Sequence, residues 1–173
     1  MLFRSLADLF TIEERLGALR GKVVAWVGDG SSNMARSWAE AARLFDFTFQ
    51  IASPEGFGLP PADVAAGSGR VKRVTSPQGA VAGADVVSTD VWTSMGQESE
   101  SARRRAAFQG YCLDGALLAQ AKKSAIVLHC LPAHRGEEIT AEVLEGPQSA
   151  VFDEAENRLH VQKALLEKLL LGA

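Results

Sequence analysis

Two rhythms of apolar residues take turns along this chain. Short runs rich in Val, Ile and Phe end at Gly or Pro, and between them apolar positions recur every three or four residues. "KVVAWVGDG" (Lys22–Gly30) predicts a buried strand followed by a tight turn. Ser31 to Phe45 carries Met34, Trp38, Ala41, Ala42 and Phe45 at helical spacing. "FTFQIAS" (Phe47–Ser53) predicts a second strand, closed by Pro54 and Gly56, and "RVKRVTS" (Arg70–Ser76) a third, less apolar one. Pro77 then sits at the first position of a short helix. "DVVSTDVW" (Asp85–Trp92) and "SAIVLHCLP" (Ser124–Pro132) predict strands four and five. Strands alternating with helices imply parallel crossovers. The expected fold is α/β: a single domain with a Rossmann-like, doubly wound, mainly parallel five-stranded sheet and flanking helices. Ligands of such sheets sit beyond the carboxyl ends of the strands.

Two helices frame this unit. The first is expected over about Ser5 to Leu19, with Leu6, Leu9, Leu16 and Leu19 broadly on one face. Thr11 and Glu14 fit a capping box, or lie inside a helix begun earlier. The last is expected over about Glu156 to Leu171, with Val161, Leu165 and Leu169 at four-residue intervals. Leu166, Leu170 and Leu171 widen that stripe beyond what one core face needs. Core packing and an unmet surface for another domain both account for it. The resulting division is 1–20 for the first helix, 21–155 for the α/β unit and 156–173 for the last helix.

The chain has 173 residues, enough for one well-buried domain, and its composition is that of a soluble globular protein. A net charge of −3 argues against nucleic acid as a partner, because neutralising phosphates needs a basic surface. Membrane association is not expected, since no apolar run approaches the roughly 18 residues that span a bilayer. Cys112 and Cys130 make no disulfide framework, which points to a reducing cytoplasm.

Candidate chemistry clusters at the predicted strand ends. Gly28-Asp29-Gly30 resembles the start of a dinucleotide fingerprint, but Asn33 stands at its third glycine and no acidic residue ends the second strand. Asn33, near a helix N-terminus, suits either a carboxylate ligand or a simple turn. Asp90 follows the fourth strand, where it can receive an ammonium group or cap the next turn; Ser94, Met95 and Gly96 then form a stretch able to close over a ligand. His129 and Cys130 suggest a nucleophile, a zinc site with His134, a ligand-orienting pair, or a plain core cysteine. Neighbouring strand residues face opposite sides of a sheet, so His129 is poorly placed to activate Cys130.

Four stretches, "VGDGSSNMARS", "ADVVSTDVWTSMGQE", "LHCLPAHRGEE" and "VFDEAENRLHVQKALL", closely resemble the second half of ornithine carbamoyltransferase, in order, from about Leu6 to the C-terminus. The resemblance implies transfer of a carbamoyl group from carbamoyl phosphate to the side-chain amine of L-ornithine, with no cofactor and no metal. It implies that Asn33, Asp90, Ser94 and Met95 bind ornithine. Asp90 and Cys130 would flank the reacting amine, and Cys130 would orient it without forming a covalent intermediate. Cys130, the Leu131 carbonyl and Arg158 would hold carbamoyl phosphate. A cis Leu131-Pro132 bond is expected in this turn.

The sequence departs from the family at its start. No Ser-Thr-Arg-Thr loop occurs, and the positions of a His-Pro-x-Gln motif fall on Met1, Leu2, Phe3 and Arg4. The expectation is an ornithine-binding domain lacking its carbamoyl-phosphate half, with little or no activity alone. Its partners would be the two substrates, and a separate N-terminal half or a second copy. The alternative is a degenerate, non-catalytic ornithine- or amino-acid-binding module.

Overall fold

Strand β1 (Val23–Val27) is apolar along its whole length because it lies in the middle of the sheet with both faces covered. The computed structural model describes residues 2–93 and 98–172. Its other strands are β2 (Thr48–Ala52), β3 (Val71–Val74), β4 (Val86–Thr89) and β5 (Ile126–His129). They lie in the order β3-β2-β1-β4-β5, and every pairing is parallel. From β1 the chain winds out through β2 to β3, then returns across the sheet to β4 and β5. This reversal opens a crevice at the carboxyl ends of β1 and β4.

The helices are α1 (Leu2–Leu16), α2 (Asn33–Phe45), α3 (Pro61–Ala66), α4 (Pro77–Val81), α5 (Ser101–Ala107), α6 (Gly115–Leu118), α7 (Ala141–Leu144) and α8 (Val151–Leu171). Strand alternation assigns them to two layers. Val24, Trp26, Phe49, Ile51 and Leu128 pack with Leu9 and Ile12 of α1 and Trp38 of α2. Ala25, Val27, Val87 and Val127 face the other way, against Val81, Leu117 and Val143 of α4, α6 and α7. Side-chain oxygens of Ser32, Ser76, Asp114 and Thr140 cap α2, α4, α6 and α7. Each satisfies an N–H group left free by the helix itself.

Several boundaries differ from the sequence expectation. The strands are four or five residues long, because the residues on either side go into turns. Helix α2 starts at Asn33, since Ser32 is its cap. Helix α1 runs from Leu2 and stops at Gly17, whose φ of 73° ends it two residues before Leu19. Thr11 is therefore inside a helix, and its hydroxyl donates to the Ala7 carbonyl at 2.8 Å in place of a capping box. Helix α8 begins at Val151, five residues early, because Val151 is itself buried. Helices α3, α5, α6 and α7 are not predicted by the apolar pattern; at four to seven residues they are too short to show a helical period.

The stripe on α8 does not serve the core along its length. Val161 and Leu165 are half-buried, but Leu166, Leu169, Leu170 and Leu171 stand in solvent, with Leu169 72% exposed. Among the described residues, no helix is long and apolar enough to cross a membrane.

Trp38 is fully buried, edge-on to Phe47 at 6.0 Å and stacked on Phe49 at 6.3 Å. Trp38→Ala is expected to cost about 3–5 kcal/mol, the usual cost of a large-to-small change at a buried aromatic. Urea unfolding would show a lower midpoint with an unchanged slope.

Candidate functional site

Strands β4 and β5 end on the same rung, with Thr89 paired to His129. The next residues, Asp90 and Cys130, therefore leave the sheet side by side. The Asp90 carboxylate and the Cys130 thiol lie within 4.8 Å of each other and are hydrogen-bonded. An Asp90 oxygen also accepts from the Val91 N–H at 2.8 Å, so this side chain both caps its turn and faces the thiol. Burial raises the Asp90 pKa, against the pull of His129 and the hydrogen bonds from Val91 and Cys130. Burial and then the Asp90 charge push the Cys130 thiol far upward. Both effects favour the protonated thiol as a hydrogen-bond donor to Asp90 and work against the nucleophile reading, because the thiolate is the attacking species.

One ring nitrogen of His129 lies within 4.8 Å of the Cys130 sulfur and the Asp90 carboxylate, so the ring and the thiol stay close at the strand end. Both nitrogens of the His129 ring are taken. Nε2 lies 3.2 Å from Glu138 Oε1, with both side chains fully buried, and Nδ1 accepts from the Leu131 N–H at 3.0 Å. This assigns the ring proton to Nε2. The same Glu138 oxygen accepts from the His134 N–H at 2.6 Å, so one carboxylate ties the strand end to the following loop. Leu131 is held at φ 50° in front of a cis peptide bond to Pro132. Its carbonyl is thereby part of a turn whose geometry the His129 ring fixes.

A depression of about 520 Å³ opens beside Cys130 and Leu131, lined also by Asp8 of α1 and by Glu154 and Arg158 of α8. Asp8 and Glu154 are 2% and 4% exposed and are hydrogen-bonded to each other. Glu154 Oε2 also accepts from the backbone N–H of His129 at 2.9 Å. Burial first, and then mutual repulsion, raises the Asp8 pKa well above the usual carboxylate value. Burial likewise lifts Glu154 to about 7. Neither residue stands out in the sequence. The available signal is an aspartate inside the apolar stretch "SLADLF".

Asp29 at the end of β1 is 3% exposed. One of its oxygens accepts from the backbone N–H and the hydroxyl of Ser31, at 2.8 and 2.6 Å. The other accepts from Arg104 Nη1 at 2.6 Å, and Arg104 also donates to the Trp92 carbonyl at 2.9 Å and lies over the Phe57 ring. This carboxylate occupies the N–H that a phosphate would need at a dinucleotide turn, and its charge repels one. Gly30 is required by close approach: a Cβ there would stand 2.7 Å from the Leu59 nitrogen.

Cys130, Leu131 and Arg158 are thus brought to one crevice, with Asp90 in contact with Cys130 behind it. Asn33 is exposed at the first turn of α2 and lines a separate, shallow depression with Arg36 and Asp63. Ser94 and Met95 lie outside the described residues. The zinc set His129, Cys130 and His134 is not assembled: His129 and Cys130 group with Asp90, whereas His134 groups with Glu137 and Glu138.

Residues 20–169 match the family model "Aspartate/ornithine carbamoyltransferase, Asp/Orn binding domain". The chain is 54% identical to an ornithine carbamoyltransferase of Herminiimonas arsenicoxydans, over 96% of this chain and 55% of that protein. It is 56% identical to one from Chromobacterium violaceum, over 96% of this chain and 54% of that protein. Among solved structures, the Burkholderia thailandensis ornithine carbamoyltransferase superposes with a TM-score of 0.88 at 48% identity, over 98% of this chain and 55% of that one. The Thermus thermophilus enzyme gives 0.89 at 42% identity, over 97% and 55%. The chain spans about half the length of the relatives it matches.

Removing one partner of a buried ion pair leaves the other charge without compensation. Arg104→Met is therefore expected to destabilise the chain by about 3–5 kcal/mol. Adding Asp29→Asn to that variant recovers a large part of the loss, measured as a double-mutant cycle in chemical denaturation.

Proposed function

The chain belongs to the aspartate/ornithine carbamoyltransferase family, and we propose that it is the ornithine-binding half of an ornithine carbamoyltransferase, with little or no turnover by itself. The observation that carries this reading is that Asp90 and Cys130 meet at the carboxyl ends of two neighbouring strands, beside a depression lined by Cys130, Leu131 and Arg158. An anion beside a thiol that stays protonated suits an amine ligand, since the carboxylate accepts from the amine while the thiol adds a neutral donor. Asn33, Ser94 and Met95 grip the rest of ornithine, and Arg158 with the Leu131 carbonyl receives the carbamoyl group.

In the reaction the neutral amine nitrogen forms a bond to the carbamoyl carbon. The bond from that carbon to the phosphate oxygen breaks, and phosphate leaves with the proton lost by the amine. Asp90 contributes by accepting a hydrogen bond from the amine N–H, and Cys130 by a neutral contact beside it, so that together they hold the nitrogen in line, which is catalysis by position and electrostatics. Cys130 gives no covalent intermediate, in keeping with its protonated state. The exposed leucines at the end of α8 are the surface through which this half meets the rest of such an enzyme. Retention of Cys130 and Arg158 favours the transferase over a module that merely binds an amino acid.

Calorimetric titration with L-ornithine, with and without carbamoyl phosphate, tests the reading. Ornithine is expected to bind the chain, and Asp90→Asn to weaken it about tenfold or more, the worth of a hydrogen bond to a charged group. Citrulline formation by the isolated chain is expected to stay at background. Absence of ornithine binding under both conditions, or ordinary turnover by the 173-residue chain, would overturn the proposal.

A further inference from the structure

We propose that Asp8 and Glu154 share a single proton at neutral pH, and that this bridged pair is a positioning device that locks the end of β5, with Cys130 and Leu131, between α1 and α8. Two carboxyl groups in hydrogen-bond contact need a proton between them, because neither ionised group can donate. Both are almost wholly removed from water, so two negative charges there would be both unhydrated and mutually repelling. The bridge is also mechanically placed. Asp8 belongs to α1 and Glu154 to α8, and Glu154 holds the His129 N–H at 2.9 Å, one residue before the thiol. The same two helices are tied a turn further on, where the Asn157 amide donates to Thr11 at 3.0 Å and to Glu14 at 2.6 Å.

The charged and titratable groups facing the pair are Asp90 after β4, His129 at the end of β5 and Cys130 just after it, Arg135 in the loop beyond, and Arg158 of α8. Asp90 adds a third negative charge, so a second charge on the pair would press directly on the Asp90–Cys130 contact. The raised values of both carboxyls agree with a retained proton. The significance for Cys130 rests on the transferase reading above, but proton sharing is a property of the folded chain and is measured without substrate.

The folded state keeps a proton that the unfolded chain has lost. Stability is fully present below the unfolded carboxyl range, near 4, and falls as pH rises above it, over the window in which the folded pair keeps its shared proton. Across that window the pair raises the unfolding equilibrium constant about tenfold per pH unit. Asp90, also raised, adds its own share in every variant.

The test is chemical denaturation of the chain at a series of pH values from about 5 to 8, spanning the carboxyl window, for wild type, Glu154→Gln, Asp8→Asn and Glu154→Ala. The two amide variants keep the bridge with a built-in donor. Each is expected to fold and to lower the pH slope by about one proton. Glu154→Ala is expected to be less stable than Glu154→Gln throughout, because it strands Asp8 and the His129 N–H. Carboxyl carbon chemical shifts at about pH 6, inside that window, are expected to show one protonated group in wild type and none at this pair in either amide variant. An unchanged slope in both amide variants, Glu154→Gln no more stable than Glu154→Ala, or two ionised carboxyls at that pH would overturn the proposal. Failure of ornithine to bind would leave these readouts unaffected.

Discussion

Two parallel strands that stop at the same rung determine the layout of the crevice. Because Thr89 and His129 are paired, the chain must release Asp90 and Cys130 as neighbours. Cys130 presents its thiol beside Asp90, and the His129 ring turns to the Leu131 backbone while keeping one nitrogen within 4.8 Å of the sulfur. Each of the two functions, presenting a thiol and shaping the turn after it, thereby receives its own side chain. His129 spends both ring nitrogens on the backbone of Leu131 and on Glu138, so it is a structural fixture of the turn and not a base. The topological reversal between β1 and β4 adds the third wall, with the Asp29 turn alongside.

Burying so many charged groups near one crevice is costly, and each is neutralised differently. Asp29 is matched by a guanidinium. Asp90 borrows a backbone N–H and a thiol. Glu138 gathers two donors from the segment it braces. These solutions share a consequence: each of these buried acids joins separate segments of the chain, so that the shape of the crevice and the cohesion of the domain come from the same contacts.

The sheet was legible because its strands are short apolar runs ending at Gly or Pro, a pattern that local sequence carries by itself. Positions around Asp90 and Cys130 were legible for the same reason, since a strand end dictates where its next residue points. What stayed hidden depends on three-dimensional meeting. Nothing in "SLADLF" shows that Asp8 faces Glu154, at the other end of the chain. Arg104 reads as one of three consecutive arginines, yet it is 4% exposed whereas Arg105 pairs with Glu137 at the surface. The breadth of the leucine stripe on α8 was visible, but its exposure could be settled by packing alone.

The protonation state of Cys130 has a chemical consequence of its own. Oxidation of cysteine to sulfenic acid and capping by glutathione both proceed through the thiolate. A half-buried thiol pressed toward its protonated form by burial and an adjacent carboxylate is therefore a poor reductant, although it borders an open crevice. The same contact that makes the sulfur a neutral donor therefore also slows its reaction with peroxide and disulfides.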